Sequence, residues 1–139
     1  MPPSFSFFPL RLSFLKKGLF SSFKKYSPIV LRISIALVFL WFGFNQLFYT
    51  ESFFGYLPHW VSSFNPSLFI ILNGSLEVIL GILLILGIFT RFSALILAIH
   101  LLGIMFSLGY NEIAVRDFGL ALATFAIFLN GEDDWCLKK

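Results

Sequence analysis

The chain has 139 residues, of which 58% are hydrophobic and only 12% are charged, and its net charge is +3. Its mean hydropathy is +0.91. Soluble domains usually carry about 25% charged residues, and a chain of this length has too little interior to hide so much apolar surface from water. The composition therefore excludes an ordinary soluble domain and predicts one integral membrane domain surrounded by a lipid bilayer.

The cysteine and histidine content restricts the chemistry further. Cys136 is the only cysteine, which excludes an intrachain disulfide and a Cys-x-x-Cys redox mechanism. His59 and His100 are too few for a histidine-built metal or haem centre. We therefore expect no metal site and no covalently bound cofactor.

Residues 1–27 are basic and aromatic and come before the first apolar stretch. Their lysine pairs interrupt every apolar run, so this segment is not the apolar core of a signal peptide. We predict a cytoplasmic N-terminal tail with a short interfacial helix over residues 10–23. A basic block beside a span suits an anionic lipid surface. No nucleic-acid partner is expected, because this tail cannot build a folded basic module.

Four apolar stretches follow, over residues 29–49, 66–89, 92–108 and 113–129. A helix of about 20 residues rises about 30 Å, which matches the hydrocarbon core of a bilayer. Pro28 is expected at the first position of the first helix, and the aromatic connection 50–65 is expected along the outer interface. Tight turns at 90–91 and 109–112 predict that neighbouring helices are antiparallel and in contact.

The predicted fold is thus all-α, an integral membrane four-helix bundle whose four transmembrane helices occupy residues 28–131. A short C-terminal tail, residues 132–139, follows the last helix. With four spans, the basic N-terminal tail, the 90–91 turn and Lys138–Lys139 all lie on the same side of the membrane. The positive-inside rule then predicts that both termini are cytoplasmic.

Polar side chains within spans are costly, so each needs a partner or a role. At a rise of 1.5 Å per residue, most of them lie at matching depth in the outer half of the bundle, with His100 near the middle of its span. The candidate ligand-binding residues are Asn45, Gln46, Asn73, Glu77, His100, Arg116 and Asp117. We hypothesise that they converge on one site that opens to the outer side, with Glu77 at its floor.

Several of these residues also have a purely structural interpretation. Apolar surroundings favour the neutral form of the Glu77 carboxyl group unless a cation pairs with it. Glu77 is therefore either an acid that handles protons or a ligand, or a paired group that holds two helices in register. His100 either pairs with Glu77 from the third helix or only packs there. Asn45 and Gln46 either belong to the site or hydrogen-bond neighbouring helices.

The sequence also predicts partners for three charged side chains, Arg116, Asp117 and Arg32. Arg116 and Asp117 are adjacent, so they point about 100° apart on a helix. We expect each to pair with a residue on another helix, as part of a site or as an anchor. Arg32 lies near the cytoplasmic end of the first span and is expected to extend toward the lipid headgroups.

Three segments carry a family resemblance. They are RISIALVFLWFGFNQL over residues 32–47, GSLEVILG over 74–81 with LGIFTR over 86–91, and VRDFGL over 115–120. Their order and spacing together resemble the DoxX family. The resemblance covers about residues 30–131 and implies a four-helix protein of the bacterial plasma (inner) membrane. It also implies that Glu77, Arg116 and Asp117 occupy recurring polar positions of the family.

The chain departs from the family pattern at Gln46, where relatives often carry a lysine. If that lysine pairs with the glutamate of the second helix in relatives, Glu77 of this chain lacks the partner. It must then pair with Arg116 or His100, or stay protonated.

The resemblance further implies a membrane subunit of a quinone-linked redox or oxidative-stress system, with a quinone as ligand and a partner subunit as electron source. Two alternatives stay open. One is a structural or assembly subunit of a larger membrane complex without catalysis of its own. The other, less favoured, is a small-molecule transporter, which would require a homo-oligomer because four spans leave little room for alternating access. Whether the chain is itself an enzyme also stays open.

Overall fold

The computed structural model describes residues 8–137, and all regular structure within this range is helical. The elements in chain order are α1 (Phe8–Phe48), a 3-10 helix (Thr50–Tyr56), α2 (His59–Ser62), α3 (Pro66–Leu86), α4 (Thr90–Leu108) and α5 (Glu112–Asn130). The prediction of an all-α chain is thus confirmed for the described residues.

Side-chain caps determine where two of the long helices begin. The Asn65 side-chain oxygen accepts a hydrogen bond from the Leu68 amide at 3.1 Å, and Pro66 occupies the first turn of α3. The side-chain oxygen of Asn111 accepts in the same way from the Ala114 amide at 2.8 Å at the start of α5. Each cap satisfies an amide that the first turn of a helix leaves without a partner. The two helices therefore begin at the polar residues that precede the apolar stretches.

The turn between α3 and α4 differs from the prediction. α3 ends because Gly87 adopts a left-handed conformation with φ 65°, which terminates the helix. Phe89 is also left-handed, with φ 50°, and α4 already begins at Thr90. The turn consists of residues 87–89 rather than 90–91, because glycine adopts a positive φ without steric cost.

α1 is longer than the predicted first span. It runs without interruption for 41 residues, and Pro28 lies inside it rather than at its first position. Residues 10–23 are helical, as expected, but they do not form a separate interfacial helix. Extending an existing helix is much easier than starting a new one, and the segment is rich in Leu and Lys, which are good helix formers. Residues 1–7 and 138–139 of the two predicted tails lie outside the described residues.

The four long helices pack in two pairs. α1 packs along α3 and α4 along α5, and contacts between α3 and α4 and between α1 and α5 join the pairs. The buried apolar core draws on all four helices and contains Ile35, Ala36, Phe39, Leu80, Leu84, Ala94, Leu97, Leu101, Ala121 and Ile127. Within each helix these residues recur mostly at three- or four-residue spacing, so each helix buries one face.

The outer surface is that of a multi-pass membrane protein. Three helical segments of the described chain are long and apolar enough to cross a bilayer, namely Lys17–Phe48, Pro66–Leu86 and Thr90–Leu108. Large apolar side chains such as Trp41 and Ile79 are mostly exposed on these helices. Continuous apolar surface of this kind suits lipid rather than water. α5, which carries three charged residues, is not among the three segments.

Candidate functional site

A cavity of about 730 Å³ lies among the four long helices and the connection between α1 and α3. Its lining includes all seven polar residues singled out from the sequence, which are Asn45, Gln46, Asn73, Glu77, His100, Arg116 and Asp117. Small-molecule sites usually have volumes of roughly 300–1,000 Å³. The structure therefore brings the predicted residues together around a space large enough for a ligand.

The Glu77 carboxylate is the centre of a hydrogen-bond network that joins three helices. Nε2 of Gln46 on α1 donates to Oε2 of Glu77 at 3.0 Å, and Nδ2 of Asn73 donates to Oε1 at 3.2 Å. Nε2 of His100 on α4 lies 3.3 Å from the same Oε1. Asn73 also donates to Oε1 of Gln46 at 2.7 Å. Because both carboxylate oxygens have partners, the buried Glu77 satisfies its hydrogen-bonding capacity within the protein.

Glycines at the crossing of α1 and α3 bring Gln46 within reach of Glu77. A Cβ added to Gly43 would lie 2.8 Å from the carbonyl oxygen of Gly74. One added to Gly74 would lie 2.9 Å from the Gly43 carbonyl oxygen and 2.9 Å from Cβ of Gln46. Only glycine permits the two backbones to approach so closely. The neutral Gln46 side chain therefore reaches the carboxylate directly.

Arg116 and Asp117 pair with each other. Nε and Nη2 of Arg116 donate to Oδ1 of Asp117 at 3.0 and 2.9 Å. The expectation that each would pair with another helix is wrong, because the long arginine side chain bends across the angle between adjacent positions. The guanidinium also lies 5.1 Å from the ring centroid of Phe42 on α1, which is a cation–π contact. The Arg116–Asp117 pair of α5 is thus in contact with α1 through the Phe42 ring.

The remaining wall is largely apolar. Asn45 differs from Gln46 in that its Nδ2 donates to the Trp41 carbonyl oxygen of its own helix, at 2.7 Å. Aromatic side chains from α1 and from the following connection line the cavity, among them Trp41, Phe42, Tyr49, Phe53, Tyr56 and Trp60. The cavity therefore combines aromatic walls with the polar cluster around Glu77.

Several N–H donors that line this cavity have no partner among the described residues. Arginine has five N–H groups, and Arg116 uses two of them on Asp117. Gln46 retains one amide hydrogen after its bond to Glu77. Whether Nδ1 of His100 donates or accepts depends on the tautomer of the imidazole. The arrangement can hold a ligand that has hydrogen-bond acceptors on an otherwise apolar ring or chain.

Metal binding has no support in the described part of the chain. Within residues 8–137 no three His, Cys, Asp or Glu side chains are grouped so that they could hold a metal ion.

A second buried polar contact involves Arg32, about 20 Å along α1 from Gln46 at 1.5 Å per residue. Nε of Arg32 lies 2.7 Å from Oδ2 of Asp133, and the two side chains are only 1% and 2% exposed. Arg32 also donates to the carbonyl oxygens of Leu84 and Ile85 near the end of α3. The expectation that Arg32 extends to the headgroups is wrong, because the protein supplies these partners internally.

The Arg32–Asp133 pair attaches the segment after α5 to the rest of the protein. Burial alone would raise the pKa of Asp133, but hydrogen bonds from Arg32, the Trp135 amide and Cys136, with the Arg32 charge, outweigh burial and hold the pKa below its ordinary value of 3.8. The Leu137 amide donates to the Leu86 carbonyl oxygen at 3.1 Å. Sequence reasoning missed this pair. Its signal was an arginine inside a span, which requires a partner, together with acidic residues after the last helix.

Comparison with known proteins identifies the family. The family model described as DoxX matches residues 27–109, which is more than half of the chain. The chain belongs to the DoxX family. The DoxX match covers the second half of α1 and all of α3 and α4, and it ends before α5. No curated protein and no solved structure matches the chain.

The DoxX region contains the network around Glu77. The sequence left three options for Glu77, which were pairing with Arg116, pairing with His100, or protonation. Glu77 contacts His100, whereas Arg116 bonds Asp117. Gln46 donates a direct hydrogen bond to Glu77. The contact between α1 and α3 at Glu77 is thus made by a neutral side chain.

Proposed function

We propose that this DoxX chain is a membrane subunit of a quinone-linked redox or oxidative-stress system, and that the cavity binds the quinone headgroup. The observation that supports this proposal is the presence of unused N–H donors within an aromatic-lined cavity of about 730 Å³. A quinone head is a flat apolar ring with two carbonyl oxygens that accept hydrogen bonds. The donor side chains and the ring-lined walls fit this chemistry.

The roles of the residues follow from their contacts. Arg116 and Gln46 donate to the carbonyl oxygens of the headgroup, and the aromatic walls exclude water. When bound, a quinone accepts two electrons and two protons to become a quinol, and a redox partner subunit supplies the electrons. Glu77 and His100, 3.3 Å apart, can hold and transfer protons at the cavity wall. Asn73 orients the carboxylate by donating to it.

The proposed topology has α5 as a fourth span, antiparallel neighbouring helices and both termini on the cytoplasmic side of a bacterial plasma membrane. Packing of α5 along α4 supports the fourth span. Near one end, Lys25 lies 3.6 Å from Asp134 and Arg91 lies 3.9 Å from Glu132. Basic residues of α1 and α4 are thus gathered beside the C-terminal segment. The positive-inside rule places such an end in the cytoplasm.

Glu77→Gln tests the quinone site while nearly preserving side-chain size. In the variant an amide N–H must face donors from Gln46, Asn73 or His100, so the network cannot form unchanged. We expect the affinity for decylubiquinone, measured with the full chain in detergent, to fall about fivefold. This corresponds to losing the neutral hydrogen bond from Gln46, worth about 1 kcal/mol, because the Glu77 carboxylate no longer orients that side chain. Ser75→Ala is the matched control, because Ser75 bonds only its own helix, at the Ile71 carbonyl oxygen.

The melting temperature of both variants without quinone separates a folding defect from a binding defect. If the unmodified chain neither retains quinone on purification nor binds decylubiquinone, the proposed function is wrong. If Glu77→Gln binds as tightly as the unmodified chain, the cavity around Glu77 is not the site.

A second candidate function is an assembly subunit without catalysis, and one observation favours it. α1 begins 20 residues before Pro28, and its side chains Leu19, Phe20 and Phe23 are exposed. Exposed apolar side chains on a helix that extends past a span can contact another membrane subunit. Native gel electrophoresis of gently solubilised membranes tests this function. Migration of the chain only as free protein would contradict it.

A further inference from the structure

We propose that a groove between α1 and α5 binds the headgroup of one anionic phospholipid. The groove has a volume of about 510 Å³ and lies beside the buried Arg32–Asp133 pair. Its principal walls are Phe23, Lys24 and Ser27 of α1 and Ala126, Ile127 and Asn130 of α5. It shares no lining residue with the cavity around Glu77. The inference rests on the proposed fourth span but not on the proposed quinone site.

The lining suits a phosphodiester attached to hydrocarbon. The Lys24 ammonium, the Ser27 hydroxyl and the Asn130 amide are donors for phosphate oxygens. Phe23, Ala126 and Ile127 supply apolar surface for the first carbons of the acyl chains. Basic pockets between transmembrane helices are a known binding mode for anionic lipid headgroups.

The charge balance around the groove leaves one cation without a partner. Asp133 is 2.7 Å from Arg32, and Asp134 is 3.6 Å from Lys25. Lys24 has no acidic partner among the described residues, and its side chain is exposed. The nearby carboxylates are therefore neutralised, and Lys24 remains available to a phosphate.

The groove also lies at the level where headgroups are expected. Lys24 and Ser27 precede Pro28, where the apolar stretch of α1 begins, and Asn130 is the last residue of α5. Helices that span a hydrocarbon core of about 30 Å place their polar ends in the headgroup layer. A lipid headgroup is thus a better match for the groove than a freely diffusing anion, because Ala126 and Ile127 give the groove an apolar wall.

Native mass spectrometry of the full chain in detergent tests the proposal. The unmodified chain is titrated with phosphatidylglycerol, phosphatidylcholine and, separately, inorganic phosphate. We expect one phosphatidylglycerol molecule to bind with at least about fivefold preference over phosphatidylcholine, the contribution of one lysine near a membrane. Lys24→Glu should abolish the preference. Lys17→Glu is the matched control, because Lys17 is exposed on the same helix seven residues earlier and does not line the groove.

A second variant tests the groove without changing charge. Ala126→Phe places a ring in the groove, and because Ala126 is exposed the substitution should leave the melting temperature unchanged. It should displace the bound lipid, whereas Leu122→Phe, on the exposed surface of α5 one turn earlier, should not. Equal binding of the two lipids, or equal loss in Lys24→Glu and Lys17→Glu, would overturn the proposal. Binding of inorganic phosphate as tight as that of phosphatidylglycerol would show that the groove takes a soluble anion instead.

Discussion

Replacement of Arg32 by methionine should destabilise the protein strongly. The substitution exchanges a buried guanidinium for an apolar side chain of similar length. It leaves the Asp133 carboxylate, which is 2% exposed, without the cation that lies 2.7 Å away. The Leu84 and Ile85 carbonyl oxygens lose a donor at the same time. Removing one partner of a buried ion pair costs about 3–5 kcal/mol, because the other charge stays buried.

The expected loss lies at the lower end of this range, about 3 kcal/mol. Asp133 keeps hydrogen bonds from the Trp135 amide at 2.9 Å and from the Cys136 thiol at 3.6 Å. Lys25→Ala is the matched control, since the Lys25–Asp134 pair is about half exposed on both sides. An exposed pair contributes about 1 kcal/mol or less, so this control should behave almost like the unmodified chain.

Reversible unfolding in mixed detergent and SDS micelles, followed by tryptophan fluorescence, measures these differences. The double variant Arg32→Met with Asp133→Leu removes both charges, so it should be more stable than Arg32→Met alone. Loss of less than about 1 kcal/mol in Arg32→Met, or no recovery in the double variant, would refute the argument that burial makes this pair important.

Three further predictions concern the fold. Because the pKa of Asp133 is lower in the folded protein than in the unfolded chain, its carboxylate stabilises the fold fully above about pH 5. This stabilisation is lost as the pH falls through the pKa of the folded state. Between pH 3 and 7 in detergent, the melting temperature of Asp133→Asn should therefore fall less steeply on acidification than that of the unmodified chain. Gly74→Ala should cost about 1–3 kcal/mol by overpacking the α1–α3 crossing, whereas Gly119→Ala, where a Cβ meets nothing within 4 Å, should be neutral or stabilising; SDS unfolding distinguishes them. A C-terminal fusion to a reporter active only in the cytoplasm should be active, and a periplasmic reporter there should not.

Much of the fold follows from the sequence alone because membrane helices obey one-dimensional rules. Their length must match the hydrocarbon core, so apolar stretches near 20 residues predicted α3, α4 and α5 to within a few residues. Depth along a helix depends only on residue number and rise. This is why Asn73, Glu77 and His100 were expected at compatible depths before their contacts were known. The unbroken α1 through Pro28 was not expected, because helix continuation depends on the whole segment and not on one residue.

The cavity and the pairs within it depend on helix rotation and close approach, which a sequence does not express. Gln46 reaches Glu77 because Gly43 and Gly74 let two backbones almost touch. Arg116 pairs with its own neighbour because its side chain is long enough to bend, which residue spacing does not reveal.

Composition and hydrophobic patterning are enough to predict that this chain is helical, lies in lipid and carries a small set of polar residues at matching depths. Which of those residues contact each other depends on how the helices pack. The Arg32–Asp133 pair is the clearest case, since its members are 101 residues apart. Composition and periodicity describe the faces of single helices. The partner of a buried charge depends instead on how the surrounding helices are placed.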